Sequence, residues 1–168
     1  NQFTIESFVY LTAYPNSYGG NYEATLFATT LSGTNTTKKV VFITSGTTFT
    51  VPADFGSLIS VECIGGGGGS ARVNGSGGSG GGAYSKSTSV TGLTAGGTAY
   101  VSIGAGGSAG APATSGGDTW FNAASNAPPT LTTQGVLAKG GAAATSATGA
   151  AGGVATDGVG DLKYSGGD

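Results

Sequence analysis

The stretch that decides the fold is Leu58-Ile59-Ser60-Val61-Glu62-Cys63-Ile64, followed without a break by Gly65-Gly66-Gly67-Gly68-Gly69. Ile59, Val61 and Cys63 alternate with Ser60 and Glu62, the period-two pattern of a strand with one buried face. The glycine run that follows offers no side chain to bury, and glycine loses more backbone entropy on ordering than any other residue. Such a tract either serves as a flexible linker or pairs its backbone densely, because extended polyproline II-like glycine segments have no Cβ to hold neighbours apart. Neither alternative needs a ligand.

The same alternation of strand and glycine tract continues on both sides. Strands are expected at 40–44, 47–51 (closed by Pro52), 83–90, 98–103 with Val101 and Ile103 inward, 118–122, 135–139 and 161–164, all joined by glycine-rich connections. The alanine-rich stretch 142–151 is interrupted by Gly149, runs into Gly152-Gly153 and carries no amphipathic period, so no long helix is expected. The fold class is all-β: short strands in a sandwich or jelly-roll-like arrangement, with glycine-rich, polyproline II-like loops.

Upstream of residue 38 the composition changes. Tyr10, Tyr14, Tyr18 and Tyr22 stand four apart, with Phe3, Phe8 and Phe27 among them and only three glycines. A helical reading fails because Pro15, Gly19 and Gly20 would sit inside it. A strand over 3–13, a turn through Pro15-Asn16-Ser17-Tyr18-Gly19-Gly20 and a second strand over 22–31 fit better. The chain divides at this point into an aromatic segment, 1–38, and a glycine-rich β domain, 39–168. So many aromatic side chains must be buried against something, either their own domain or the sheet edge of a neighbouring copy. Phe3, Ile5, Phe8 and Tyr10 are the candidate anchors of an assembly contact made by strand addition.

Composition excludes much chemistry. Of 168 residues 35 are glycine, 38% are hydrophobic and 8% are charged, a balance too apolar for a disordered chain. The net charge of -2 provides no footprint for nucleic acid or an anionic membrane, and no apolar run has the length of a spanning helix. With no histidine there is no Ser-His-Asp or Cys-His relay and no imidazole metal ligand. Cys63 is the only cysteine and reads as a small buried hydrophobe. The expectation is no enzyme activity, no cofactor and no resident metal. The chain opens on Asn1 rather than Met, as a processed chain or a fragment would.

Local motifs add little. Gly75-Ser76-Gly77-Gly78-Ser79-Gly80 has the spacing G-x-G-x-x-G, but it leads into Ala83-Tyr84-Ser85, a strand, where dinucleotide binding needs a helix. Asp118, Asp157 and Asp161 lie in glycine-rich turns where calcium ligands are conceivable and solvated turn carboxylates are the simpler reading. Asn35-Thr36-Thr37 and Asn74-Gly75-Ser76 fit the glycosylation pattern by coincidence in a chain so rich in Ser and Thr. Trp120 and Phe121 read as core residues, although neighbours in a strand point to opposite faces and one of them could meet a sugar.

Taken in order, Phe49-Thr50-Val51-Pro52-Ala53, the strand and glycine run 59–69, Gly80-Gly81-Gly82-Ala83-Tyr84-Ser85, Val101-Ser102-Ile103-Gly104-Ala105-Gly106-Gly107, Gly116-Gly117-Asp118-Thr119-Trp120-Phe121, Ala138-Lys139-Gly140-Gly141 and Gly160-Asp161-Leu162-Lys163-Tyr164-Ser165-Gly166-Gly167 resemble one known pattern. It is that of the glycine-rich domain of tailed-phage fibre and appendage proteins and of related bacterial surface proteins. The resemblance covers about residues 40 to 168 and brings no active-site residues. It implies a non-catalytic structural or attachment protein, a segment of a phage tail fibre or adhesin located on a virion or at a cell surface. The alternative is a subunit of a secreted extracellular bacterial filament assembled by strand addition. Partners are then further copies, other virion or surface subunits, and a host-surface glycan or protein, with neither nucleic acid nor membrane insertion.

Overall fold

A computed structural model describes residues 26–31, 39–71, 77–145 and 149–168. Nine strands form two antiparallel sheets: β1 (Leu26–Leu31), β2 (Lys39–Ile43), β3 (Thr48–Thr50), β4 (Ser57–Ile64), β5 (Tyr84–Ser87), β6 (Thr98–Ser102), β7 (Thr119–Asn122), β8 (Gly135–Ala138) and β9 (Leu162–Tyr164). The first sheet runs β2-β1-β4-β5-β9 and the second β3-β6-β7-β8. The all-β expectation holds, and each strand read between residues 40 and 164 has its counterpart. Of the two strands read upstream, 3–13 lies outside the described residues, and 22–31 is described from Leu26 onward as β1. That strand pairs with both β2 and β4, so the aromatic segment shares a sheet with the glycine-rich part.

Side chains from both sheets meet in a core of Ile43, Val61, Cys63, Val101, Phe121 and Val136, with smaller alanines between them. Phe121 has no exposed surface, whereas Trp120 is half-buried on the opposite face of β7 and does not belong to that core. The pair therefore divides between the faces of the sheet instead of both packing inside. The alternation read from β4 also needs one correction. Between Ala28 and Thr30 of β1, β4 advances from Val61 to Leu58, which leaves one extra residue on β4. This bulge shifts the phase: Val61 and Cys63 face inward as read, but upstream it is Leu58 that packs on the core, with Ser60 buried and Ile59 half-buried.

The glycine tracts are ordered, and they decide between the linker and dense-pairing alternatives. At one end of the sandwich, marked by Ile64 opposite Tyr84, Tyr84 opposite Tyr164 and Thr119 opposite Ala138, every nearby strand runs into a glycine segment or emerges from one. Segments 65–71, 78–83, 104–110, 113–117, 139–145, 149–153 and 165–168 bond to one another through their backbones. The bonds recur every third residue. Gly65 and Gly68 donate to Ala83 and Gly80, Gly66 and Gly69 donate to Gly117 and Thr114, and Gly141 and Ala144 donate to Gly66 and Gly69. Three residues per turn is the period of polyproline II, so each β-strand, with period two, passes directly into a period-three helix.

At several positions inside that bundle only glycine fits. A Cβ on Gly65 would run into the Lys139 carbonyl oxygen, on Gly68 into that of Ala142 and on Gly69 into that of Ser108, all far inside the 3.0 Å that real Cβ atoms respect. At these positions the core of this half of the molecule is backbone against backbone, with Ala71, Ala83 and Ala144 buried beside it.

Candidate functional site

Several polar side chains hold the architecture in place. Asp118 lies where the second sheet passes into the bundle. Its carboxylate pairs with the Lys139 ammonium and accepts the Gly140 N–H at 2.9 Å, while the neighbouring Thr119 hydroxyl oxygen accepts the Gly104 N–H at 3.0 Å. Two adjacent side chains thus fix two glycine helices at the point where the backbone changes period. At the other end of β5, Asp161 accepts from the Thr88 N–H at 2.7 Å and from the hydroxyls of Thr88, Ser89 and Ser87 at 3.1 to 3.3 Å. Those bonds, the Thr88 N–H first, hold its carboxyl below the ordinary carboxylate value.

The carboxylates singled out in the sequence therefore do not converge. Asp118 serves the bundle junction and Asp161 the Thr88 turn, and Asp157 lies exposed in a short 3-10 turn, Ala155–Asp157. Among the described residues no group of three His, Cys, Asp or Glu could hold a metal ion. Cys63 is buried, and burial pushes its thiol well above the ordinary value, so it is a packing residue and not an activated nucleophile. The described part of the G-x-G-x-x-G tract is a bundle segment: Gly80 donates to Ala142, the Gly78 carbonyl accepts from Ala150, and β5 follows instead of a helix. Both glycosylation-like triplets and the anchors Phe3, Ile5, Phe8 and Tyr10 lie outside the described residues.

What the fold does assemble is an outward face on the five-stranded sheet and the glycine helices that continue it. Across the sheet, Glu62 stands opposite Lys86, and Lys86 opposite Leu162; one step nearer the bundle, Ile64 stands opposite Tyr84 and Tyr84 opposite Tyr164. Glu62 and Lys86 form an ion pair at 3.3 Å. The Tyr84 hydroxyl donates to Glu62, and its phenol is held well above the ordinary tyrosine value, by burial first and then by the adjacent carboxylate. Its ring lies 6.1 Å from that of Tyr164, centroid to centroid. Ile64, Leu162 and Tyr164 are exposed by 42%, 43% and 59%, large fractions for apolar side chains standing together.

Beyond that row the face becomes bare. Stepping by three along the period leads from Ile64 to Gly67, from Tyr84 back through Gly81 to Gly78, and from Tyr164 to Gly167. A Cβ on Gly67 would find its nearest neighbour at 3.8 Å, and on Gly78 or Gly167 nothing within 4 Å. Packing inside the bundle does not demand glycine at these positions, unlike Gly65, Gly66, Gly68 and Gly69 beside them. The face combines apolar rings at its base with a flat backbone surface above. Sequence reading singled out none of these residues as a site. The available signal was positional: Ile64, Tyr84 and Tyr164 are the large side chains nearest to a glycine tract on their strands.

A family model described as a glycine-rich domain matches residues 43–168. No curated protein and no solved structure matches the chain.

Proposed function

Since the chain belongs to the glycine-rich domain family, we propose that it is a non-catalytic structural and attachment part of a surface appendage, a segment of a tailed-phage tail fibre or adhesin on a virion or cell surface. The observation that carries this reading is the backbone-only bundle. Its interior admits no side chain at Gly65, Gly66, Gly68 or Gly69, so it supplies a stiff extension of the sandwich. The turns at its far end, such as that carrying Ser108, Pro112 and Thr114, are free of this constraint and suit contact with a host-surface glycan or protein.

The test is retention. Purified protein is mixed with intact bacteria or cell-envelope polysaccharide and its depletion from the supernatant is measured. Saturable depletion, reduced by substitutions at the far turns and not by substitutions in the sandwich, is the expected outcome. A second reading, a subunit of a secreted filament built by strand addition, draws on β2, which stands at one end of the order of its sheet, and on the aromatic segment with Phe3, Ile5, Phe8 and Tyr10. No retention, together with filaments in electron micrographs whose length grows with concentration, favours that reading.

A further inference from the structure

We propose that two copies of this chain associate through the outward face of the five-stranded sheet, in a twofold arrangement that sets the ring-bearing end of each face on the glycine end of the other. The two ends of the face differ in relief. At its base Ile64, Leu162 and Tyr164 stand 42%, 43% and 59% exposed around the half-buried Tyr84. Further along the glycine segments nothing protrudes: a Cβ on Gly67 would meet nothing nearer than 3.8 Å, and on Gly78 or Gly167 nothing within 4 Å. One turn, roughly 9 Å at about 3.1 Å per residue, separates the raised row from the flat one.

Such a surface is complementary to itself. A twofold axis that lies in the face and crosses the segments reverses their direction, so Ile64 of each copy comes over Gly67 of the other, Tyr84 over Gly81 and Tyr164 over Gly167. Gly78, one turn further out, then meets the row of Lys86 and Leu162. Opposed directions are already used inside the bundle, where Gly65 and Gly68 donate to Ala83 and Gly80 and the two segments run antiparallel. Charge raises no obstacle, because Glu62 and Lys86 neutralise each other within each copy at 3.3 Å. Three neighbouring segments about 4.8 Å apart, with the strand rows at their base, give a contact on the order of 450 Å² per copy, the low end of specific association, and hence a reversible dimer. The occupant is a second copy because one face supplies both halves of the fit. The contact uses neither β2 nor the far turns, so it is independent of what the appendage binds.

The experiment is sedimentation velocity on the full chain between about 1 μM and 1 mM. The expected result is monomer at the low end and dimer at the high end, with no larger species, because a twofold contact closes on itself. Gly78→Lys has room within its own copy and raises the flat end, and Tyr164→Ser removes the ring from the raised end. Each should move the midpoint at least about tenfold upward in concentration, while resistance of the buried Cys63 thiol to alkylation reports that the fold is kept. A monomer throughout, growth beyond the dimer, or a dimer indifferent to both substitutions overturns the proposal. Nitration of the unaltered protein with peptide mapping asks the same question without substitutions. Tyr164 should react readily at the lowest concentration and several-fold more slowly at the highest, and a rate that does not change with concentration overturns the proposal.

Discussion

Phe121 in the sandwich and Gly66 in the bundle are both buried, but by different neighbours. Around Phe121 stand Val61, Val101 and Val136, side chains delivered from both sheets. Around Gly66 stand the carbonyls of Gly104 and Ala105, so close that a single added carbon has no room. In the first case order follows from apolar area withdrawn from water, and small imperfections are absorbed by rotamer changes. In the second it follows from hydrogen bonds between helices of fixed period, where a misfit has no rotamer to absorb it. The same chain thus contains a tolerant half and an intolerant half, and the difference can be measured.

The largest effect is expected from Gly68→Val. Its Cβ would enter the Ala142 carbonyl, and no flexible neighbour can yield, so the loss should be on the order of 5 kcal/mol or more, in the exceptional range for one substitution. Chemical denaturation should show either no folded baseline or a greatly lowered midpoint. Phe121→Ala, the largest truncation available in the sandwich core, should cost about 3–5 kcal/mol. Cys63 lies in the same core, so alkylation of its thiol, suppressed in the native protein, provides the readout. If Phe121→Ala proves the costlier of the two, the backbone-only half is more yielding than the contrast requires.

Acid should act on a smaller scale. The Asp161 carboxyl is held below 3.8 by the Thr88 N–H and the hydroxyls beside it. A group whose folded value is depressed contributes stability above its unfolded value, and that contribution is lost as pH falls through the folded one. Stability should therefore decline below about pH 4, and Asp161→Asn should remove that part of the decline while changing little at neutral pH, since the carboxylate is exposed. Thermal melts of both proteins between pH 3 and 7 supply the comparison. The smallest effect is expected from Gly78→Ala on the open face: neutral, or stabilising by about 0.4–1 kcal/mol through the unfolded chain. Gly68→Val and Gly78→Ala together separate glycine required by contact from glycine that is merely present.

Side chains made the sandwich legible from the sequence, and their absence hid the bundle. Val61 and Cys63 announce β4, and Val101 announces β6, because a period of two needs two kinds of residue to be visible. Gly65 to Gly69 is uniform, so nothing in it marks Gly67 as open and its neighbours as closed; that distinction arises only when four other segments surround it. The bulge in β4 was hidden for a related reason. Leu58 and Ile59 are both apolar, and only the pairing with β1 shows which of them turns inward. The outward face escaped notice because it is assembled from strands far apart in sequence, Ile64 from β4 and Tyr164 from β9.

The position of segment 65–71 also has a kinetic consequence. It bonds to residues near 80, 107, 114, 117, 141 and 144, all of which follow it in the chain. During synthesis it emerges before any of those partners and has no apolar side chain between Gly65 and Ser70 with which to collapse meanwhile. The sandwich strands must find their register first and carry their glycine extensions into alignment, so closure of the bundle is a late event that depends on contacts spanning Gly69 to Ala144. Chains ruled by such distant pairings fold in milliseconds to seconds, not microseconds. Until the partners of 65–71 are available, its hydrogen-bonding groups stay open to water and to other nascent chains.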